Sequence, residues 1–190
     1  MRQELISDQK PALQKTFPEV FNGIADLYIY FYARAVQILS KNGMLCFISP
    51  NKWLRAGYGS TLRSHAGNVC AVRSIVDFGD LPVFQSAIAY SMIFVAQKQR
   101  TRDQSPVFTM VTSLEPPFPD IRALVVETGE ELDNLSASGP NWVIVGRSIA
   151  DKVSIMRKAG PELGNYLGSR VYMGLKMGPE QGILYRFRNS

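Results

Sequence analysis

The segment Met44-Leu45-Cys46-Phe47-Ile48-Ser49-Pro50-Asn51-Lys52-Trp53-Leu54-Arg55-Ala56-Gly57-Tyr58-Gly59 decides how the rest of the chain is read. Its opening run is apolar at both alternating positions, the pattern of a strand covered on both faces. The run breaks at Pro50 and turns through a polar, aromatic and glycine-containing stretch. A short helix-like segment follows, then a second strand at 72–78, a loop from Gly79 to Ala87 and a third strand from Ile88 to Gln97. That loop is too short for a parallel crossover, so the second and third strands should run antiparallel. Upstream, Ile24, Leu27, Phe31, Ala35 and Ile38 recur every three or four residues and predict a helix over 24–40 with that set as its apolar face. Asp26 near its start suits the helix dipole, and Asn42-Gly43 offers a left-handed stop. The order predicts an α/β fold: a mostly parallel sheet ending in an antiparallel hairpin. Side chains displayed beyond the strand ends of such a sheet are where ligands bind.

Outside this block the signals are weaker. Residues 1–23 are polar and interrupted by Pro11, Pro18 and Gly23, and read as irregular. Gln99 to Asp103 is polar and charged, the composition of a linker. Between 106 and 145, short β-like runs (107–111, 124–126 and 142–145) alternate with Pro- and Gly-rich turns. A helix is expected from Ser148, whose hydroxyl would cap it, to Lys158, ahead of Gly160-Pro161. The aromatics Tyr28, Tyr30, Phe31 and Tyr32 at helical spacing read as core rather than as a base-stacking platform.

Composition narrows the class. The 190 residues are 46% hydrophobic and 19% charged, an ordinary globular balance. The net charge of +5 and pI near 9.3 suit a polyanionic partner. Cys46 and Cys70 lack metal-ligand or redox spacing and read as buried free thiols in a reducing compartment. With His65 as the single histidine, a zinc site of the usual Cys/His kind is nearly excluded. No basic-then-apolar leader and no membrane-length apolar run is present, so a soluble cytoplasmic protein is expected.

Three stretches together resemble the amino-methyltransferases that methylate adenine N6 in DNA, in particular the TaqI-like and Eco57I-like restriction–modification enzymes. They are Arg2-Gln3-Glu4 with Gly23-Ile24-Ala25-Asp26-Leu27-Tyr28-Ile29-Tyr30-Phe31, then residues 47–59, then Ile75-Val76-Asp77-Phe78-Gly79-Asp80-Leu81-Pro82-Val83-Phe84. A weaker fourth, residues 167–178, is similar to the opening of the family's target-recognition region. The resemblance implies the distal half of a Rossmann-like, S-adenosylmethionine-dependent methyltransferase sheet with its antiparallel terminal hairpin, over residues 1–98. Residues 99–190 would then be a linker and the start of the recognition domain. It further implies that Phe84 stacks on a target adenine flipped out of double-stranded DNA. Asn51, Lys52 and Arg55 would line the same edge as positioning groups, and Tyr172, Gly174 and Lys176 would face DNA from the recognition region.

Other expected parts do not appear in the sequence. The glycine-containing cofactor loop of the family has no match, and the family's Asn-Pro-Pro-Tyr motif would lie before residue 1. Glu115-Pro116-Pro117-Phe118 is no substitute, since glutamate is the wrong first residue and no suitable strand precedes it. Asp77-Phe78-Gly79 mimics the kinase metal-binding triplet without any of its companions. The expectation is therefore a partial enzyme, inactive alone, working with the N-terminal half of the same enzyme that holds most of the cofactor site. A stand-alone DNA-binding module acting beside a separate catalytic subunit is the alternative.

Overall fold

A computed structural model describes residues 3–84, 89–99, 105–132, 135, 142, 144–161, 165, 166 and 168. The chain divides into two compact units, Met1–Asp151 and Lys152–Ser190. The first unit is built on one mixed five-stranded sheet. Its strands are β1 (Met44–Pro50), β2 (Ala71–Asp77), β3 (Ser91–Gln97), β4 (Val107–Met110) and β5 (Glu130–Glu131), in the order β1-β3-β2-β4-β5. β3 is antiparallel to both β1 and β2, β4 is parallel to β2, and β5 is antiparallel to β4. The expected antiparallel hairpin is β2–β3, and its second arm is threaded between β1 and β2 rather than added outside them. The sheet continues past residue 98 through β4 and β5.

Residues paired directly across an antiparallel ladder share a face. Leu45, Phe47 and Ser49 lie opposite Ala96, Phe94 and Met92, and this face carries the main core. It is covered by α2 (Tyr28–Ile38) and α3 (Ser60–Val69), and by Trp53 and Trp142. Tyr32, Trp53 and Phe94 meet with ring centroids 5.2 to 5.7 Å apart, and Trp142 adds a ring 5.8 Å from Trp53. On the opposite face a smaller cluster of Val76, Phe78 and Val111 packs beneath α4 (Ile121–Thr128) through Ile121, Leu124 and Val125.

Several expectations from the sequence need correction. Residues 3–16 are helical, a 3-10 segment Gln3–Gln9 leading into α1 (Lys10–Thr16), and Ile6, Phe17 and Val20 are buried. Isolated apolar residues in a polar stretch suffice once the folded sheet supplies their partners. The helix expected over 24–40 forms as α2, but on another face. Ile29, Tyr30, Tyr32, Ala33 and Val36 are buried, whereas Ile24, Phe31 and Ile38 are exposed. Burying that face is tolerable because each tyrosine hydroxyl finds an acceptor or partner. Tyr32 meets Ser49 Oγ at 2.8 Å and Tyr30 donates to the Asn22 carbonyl at 3.2 Å. The left-handed residue after the helix is Asn42 (φ 63°) rather than Gly43.

The run Leu124–Val126 is helical, because Asp120 caps α4 by accepting from the backbone N–H groups of Arg122 and Ala123. Trp142 and Ile144 are buried, but neither lies in a strand. The last helix, α5 (Arg147–Lys158), begins one residue before the expected cap. β1 is not covered on both faces: it is an edge strand, and Met44, Cys46 and Ile48 project from its open side. Cys46 is accordingly exposed rather than buried, while Cys70 is buried as expected. No helix among the described residues is long and apolar enough to cross a membrane.

Candidate substrate-facing site

Because β3 opposes both neighbours, β1 and β2 point the same way, and their carboxyl ends open on one edge of the sheet. The loops 51–59 and 78–90 both leave from that edge. Backbone hydrogen bonds tie them to the start of β3: Asn51 N–H donates to Tyr90 O (2.7 Å) and Phe78 N–H to Ser91 O (3.0 Å). Val111 N–H closes on Asp77 O at 2.9 Å, adding the end of β4 to the same edge.

Side chains lock the first loop in place. Trp53 is fully buried under Tyr32, Phe94 and Trp142, so it packs the corner and offers nothing to a ligand. Gly59 sits against the Trp53 backbone where any side chain would collide. The buried Arg63 guanidinium donates to the carbonyls of Trp53 and Ala56, the latter at 3.0 Å, and burial lowers its pKa. Held this way, the loop sends Lys52 and Arg55 outward, and both are exposed. Asn51 is half-buried and donates its amide to both oxygens of Asp77, at 2.9 and 3.1 Å. Asp77 is 3% exposed and also accepts from Gly79 N–H at 2.9 Å. The Asp77-Phe78-Gly79 triplet is thus a local turn, with Gly79 at φ +55° where a side chain would be strained.

Phe84, in the β2–β3 loop, is 46% exposed, and Tyr90 at the far end of that loop is 57% exposed. Lys52, Arg55 and Phe84 therefore stand on loops from one edge, with the Asn51–Asp77 pair joining the strand ends behind them. Tyr172, Gly174 and Lys176 lie outside the described residues. The spacing of the sequence could not reveal Asp77 as the partner of Asn51, since 26 residues separate them; a polar residue ending each of two apolar strands was the only signal. Glu115-Pro116-Pro117-Phe118 lies on the connection from β4 to α4, so a strand does precede it, and its phenylalanine is exposed.

Beside β1 lies a cavity of about 390 Å³, lined by Tyr28, Phe31 and Tyr32 of α2 and by residues 46–49 of β1. The Tyr28 and Tyr58 hydroxyls meet at 2.6 Å near its rim, and burial raises both pKa values, so both remain neutral phenols at physiological pH. Of the two glycines between β1 and α3, Gly59 belongs to the packed corner, where Arg63 takes the carbonyls of Trp53 and Ala56, while Gly57 has open space around it.

Residues 1–84 match the family model of the Eco57I restriction-modification methylase. Over its whole length the chain is 26% identical to the type II methyltransferase M.PaeR7I of Pseudomonas aeruginosa, spanning 34% of that protein. It is 31% identical over 116 residues to M.BstVI of Geobacillus stearothermophilus, covering 60% of this chain and 20% of the relative. The chain thus spans about a third or less of the curated relatives it matches. A Listeria monocytogenes structure assigned to the class I S-adenosylmethionine-dependent methyltransferases shares the fold over 63% of this chain and 38% of its own, at 15% identity and a TM-score of 0.51. A mixed sheet with β3 threaded antiparallel between β1 and β2 is the Rossmann-like methyltransferase arrangement in this chain, and its first 84 residues are similar to the Eco57I restriction-modification methylases.

Proposed function

We propose that this chain is the distal portion of a type II restriction–modification DNA methyltransferase that transfers a methyl group from S-adenosylmethionine to adenine N6. The observation that carries the reading is the edge formed by the carboxyl ends of β1 and β2, with exposed Phe84, Lys52 and Arg55 on its loops. An aromatic face beyond a strand end suits stacking on a flipped base, and two unburied cations beside it suit phosphates. S-adenosylmethionine supplies the methyl group when bound; the described residues hold the base-facing side only. The start of a recognition domain is proposed for the residues that follow the sheet and its core, with Tyr172, Gly174 and Lys176 toward DNA.

The proposed partner for the cofactor side is the N-terminal half of the same enzyme. Its seat would be the open edge of β1, where Met44 is 52% and Ile48 49% exposed. Such an edge, without a charge or a bulge, pairs readily with another strand.

The test measures binding of the purified chain to duplex DNA across a salt series. The slope of log K against log salt should fall by about one each for Lys52→Ala and Arg55→Ala, as expected when one phosphate contact is lost. Phe84→Ala should leave the slope unchanged while weakening binding to single-stranded DNA by about tenfold, the order of one stacked base. Labelled S-adenosylmethionine should transfer no methyl group to DNA with this chain alone. Unchanged slopes for both cation variants, or transfer by the isolated chain, would refute the reading.

A further inference from the structure

A carboxylate accepts hydrogen bonds and never donates them, so the contacts between Asn51 and Asp77 fix which end of the Asn51 amide faces inward. Nδ2 is spent on Asp77 Oδ1 and Oδ2, and the backbone N–H of Asn51 is spent on Tyr90 O. The remaining polar atom of the side chain, Oδ1, has no partner among the described residues and is not sealed from solvent. Asn51 therefore offers an acceptor, not a donor, at the substrate-facing edge. Behind it stands a nearly buried carboxylate held by the Asn51 amide and the Gly79 N–H. That charge makes the position unfavourable for a phosphate and favourable for an N–H group.

The geometry points to a division of labour along this edge: Asn51 Oδ1 accepts from an N–H of a nucleobase, and Asp77 is the positioning residue that holds the amide in that orientation. Phosphates are left to Lys52 and Arg55. This rests on the proposal that the edge faces DNA, and it revises Asn51 from a general positioning group into a base reader. An asparagine free to rotate would present donor and acceptor alternately and would discriminate poorly between ligand groups. Locked by Asp77, it excludes acceptor-only partners such as phosphate oxygens.

The experiment titrates the ¹⁵N-labelled 190-residue chain with two single-stranded octanucleotides of equal charge, one carrying all its bases and one with abasic sites at its centre. Amide shifts supply the dissociation constants and show whether each variant is folded. In the wild-type chain the base-bearing strand should bind more tightly than the abasic one. Asn51→Ala and Asp77→Asn should each cut that preference by about fivefold, the order of one lost hydrogen bond, with little change in abasic binding. The swap N51D/D77N restores the inner hydrogen bond in reverse and leaves an oxygen pointing outward, so it should recover most of the preference. A role limited to stability would not be rescued in this way. Equal weakening toward both strands would overturn the proposal by making Asn51 a phosphate contact. Full preference in Asp77→Asn would overturn the positioning role. Absence of binding to either strand by the folded wild-type chain would instead overturn the DNA-facing reading, and this proposal with it.

Discussion

Replacing Gly59 by alanine tests whether the loop after β1 is a packed corner or a pliable turn. Gly59 has φ −82° and ψ −6°, a conformation any residue adopts, so backbone preference contributes nothing to the outcome. The effect is purely steric. An alanine Cβ would run into the carbonyl oxygen, carbonyl carbon and Cα of Trp53, all backbone atoms of a residue that is itself fully buried. Trp53 cannot retreat without disturbing Tyr32, Phe94 and Trp142, and the corner cannot open without releasing the Arg63 guanidinium from Trp53 and Ala56. Overpacking of this kind costs about 2–3 kcal/mol. Gly57, two residues away, is the control: a Cβ there meets nothing within 4 Å. Gly57→Ala should be neutral or stabilise by up to about 1 kcal/mol through the unfolded chain. Urea unfolding followed by tryptophan fluorescence reads both variants. With a denaturant slope of about 2–3 kcal/mol/M, Gly59→Ala should lower the midpoint by about 1 M. A Gly59→Ala midpoint equal to that of the wild type, or an equal drop for Gly57→Ala, would refute the packed-corner account.

Other consequences are measurable on the same protein. Cys46 is exposed and Cys70 is buried, so a thiol reagent should modify one cysteine per native chain quickly and the second only in denaturant; Cys46→Ser should abolish the fast phase. Burial lowers the pKa of His65, with Glu19 opposing weakly, so the folded chain favours neutral imidazole. Stability should therefore be complete above the unfolded value of 6.5 and fall as the pH drops below it; His65→Gln should flatten that part of the pH–stability curve. Trp53→Ala should cost about 3–5 kcal/mol in the same urea assay, enough to consume much of the stability of a domain this size.

β1, β2 and β3 and the antiparallel step between the last two were legible because apolar runs bounded by Pro, Gly and Asp leave few alternatives, and a short loop dictates an antiparallel neighbour. The expected predominance of parallel pairing was not met, since three of the four ladders among the described residues are antiparallel. The threading of β3 was not legible, since pairing depends on side chains brought together across the sheet. In α2 the helical period was clear, but tyrosine is ambivalent: Tyr30 and Tyr32 count as polar or apolar depending on whether a hydroxyl partner exists, and Asn22 and Ser49 lie elsewhere in the chain. The stretch 124–126 is β-branched in part and reads as a strand until Asp120 is recognised as a cap. Of the edge residues, the exposure of Lys52, Arg55 and Phe84 agreed with their reading as loop side chains. The pairing of Asn51 with Asp77 required the fold, because two strand ends must first be placed side by side.

The position of β3 also bears on how the polypeptide is made. β1 and β2 emerge from the ribosome first, yet they share no ladder; each is hydrogen-bonded to β3, which is synthesised after both. Until Ser91–Gln97 has been translated, the two earlier strands have nothing between them to zip against. Nascent chains stopped before Ser91 would therefore leave β1 and β2 without the strand that joins them, and β4 and β5 can be added only after that.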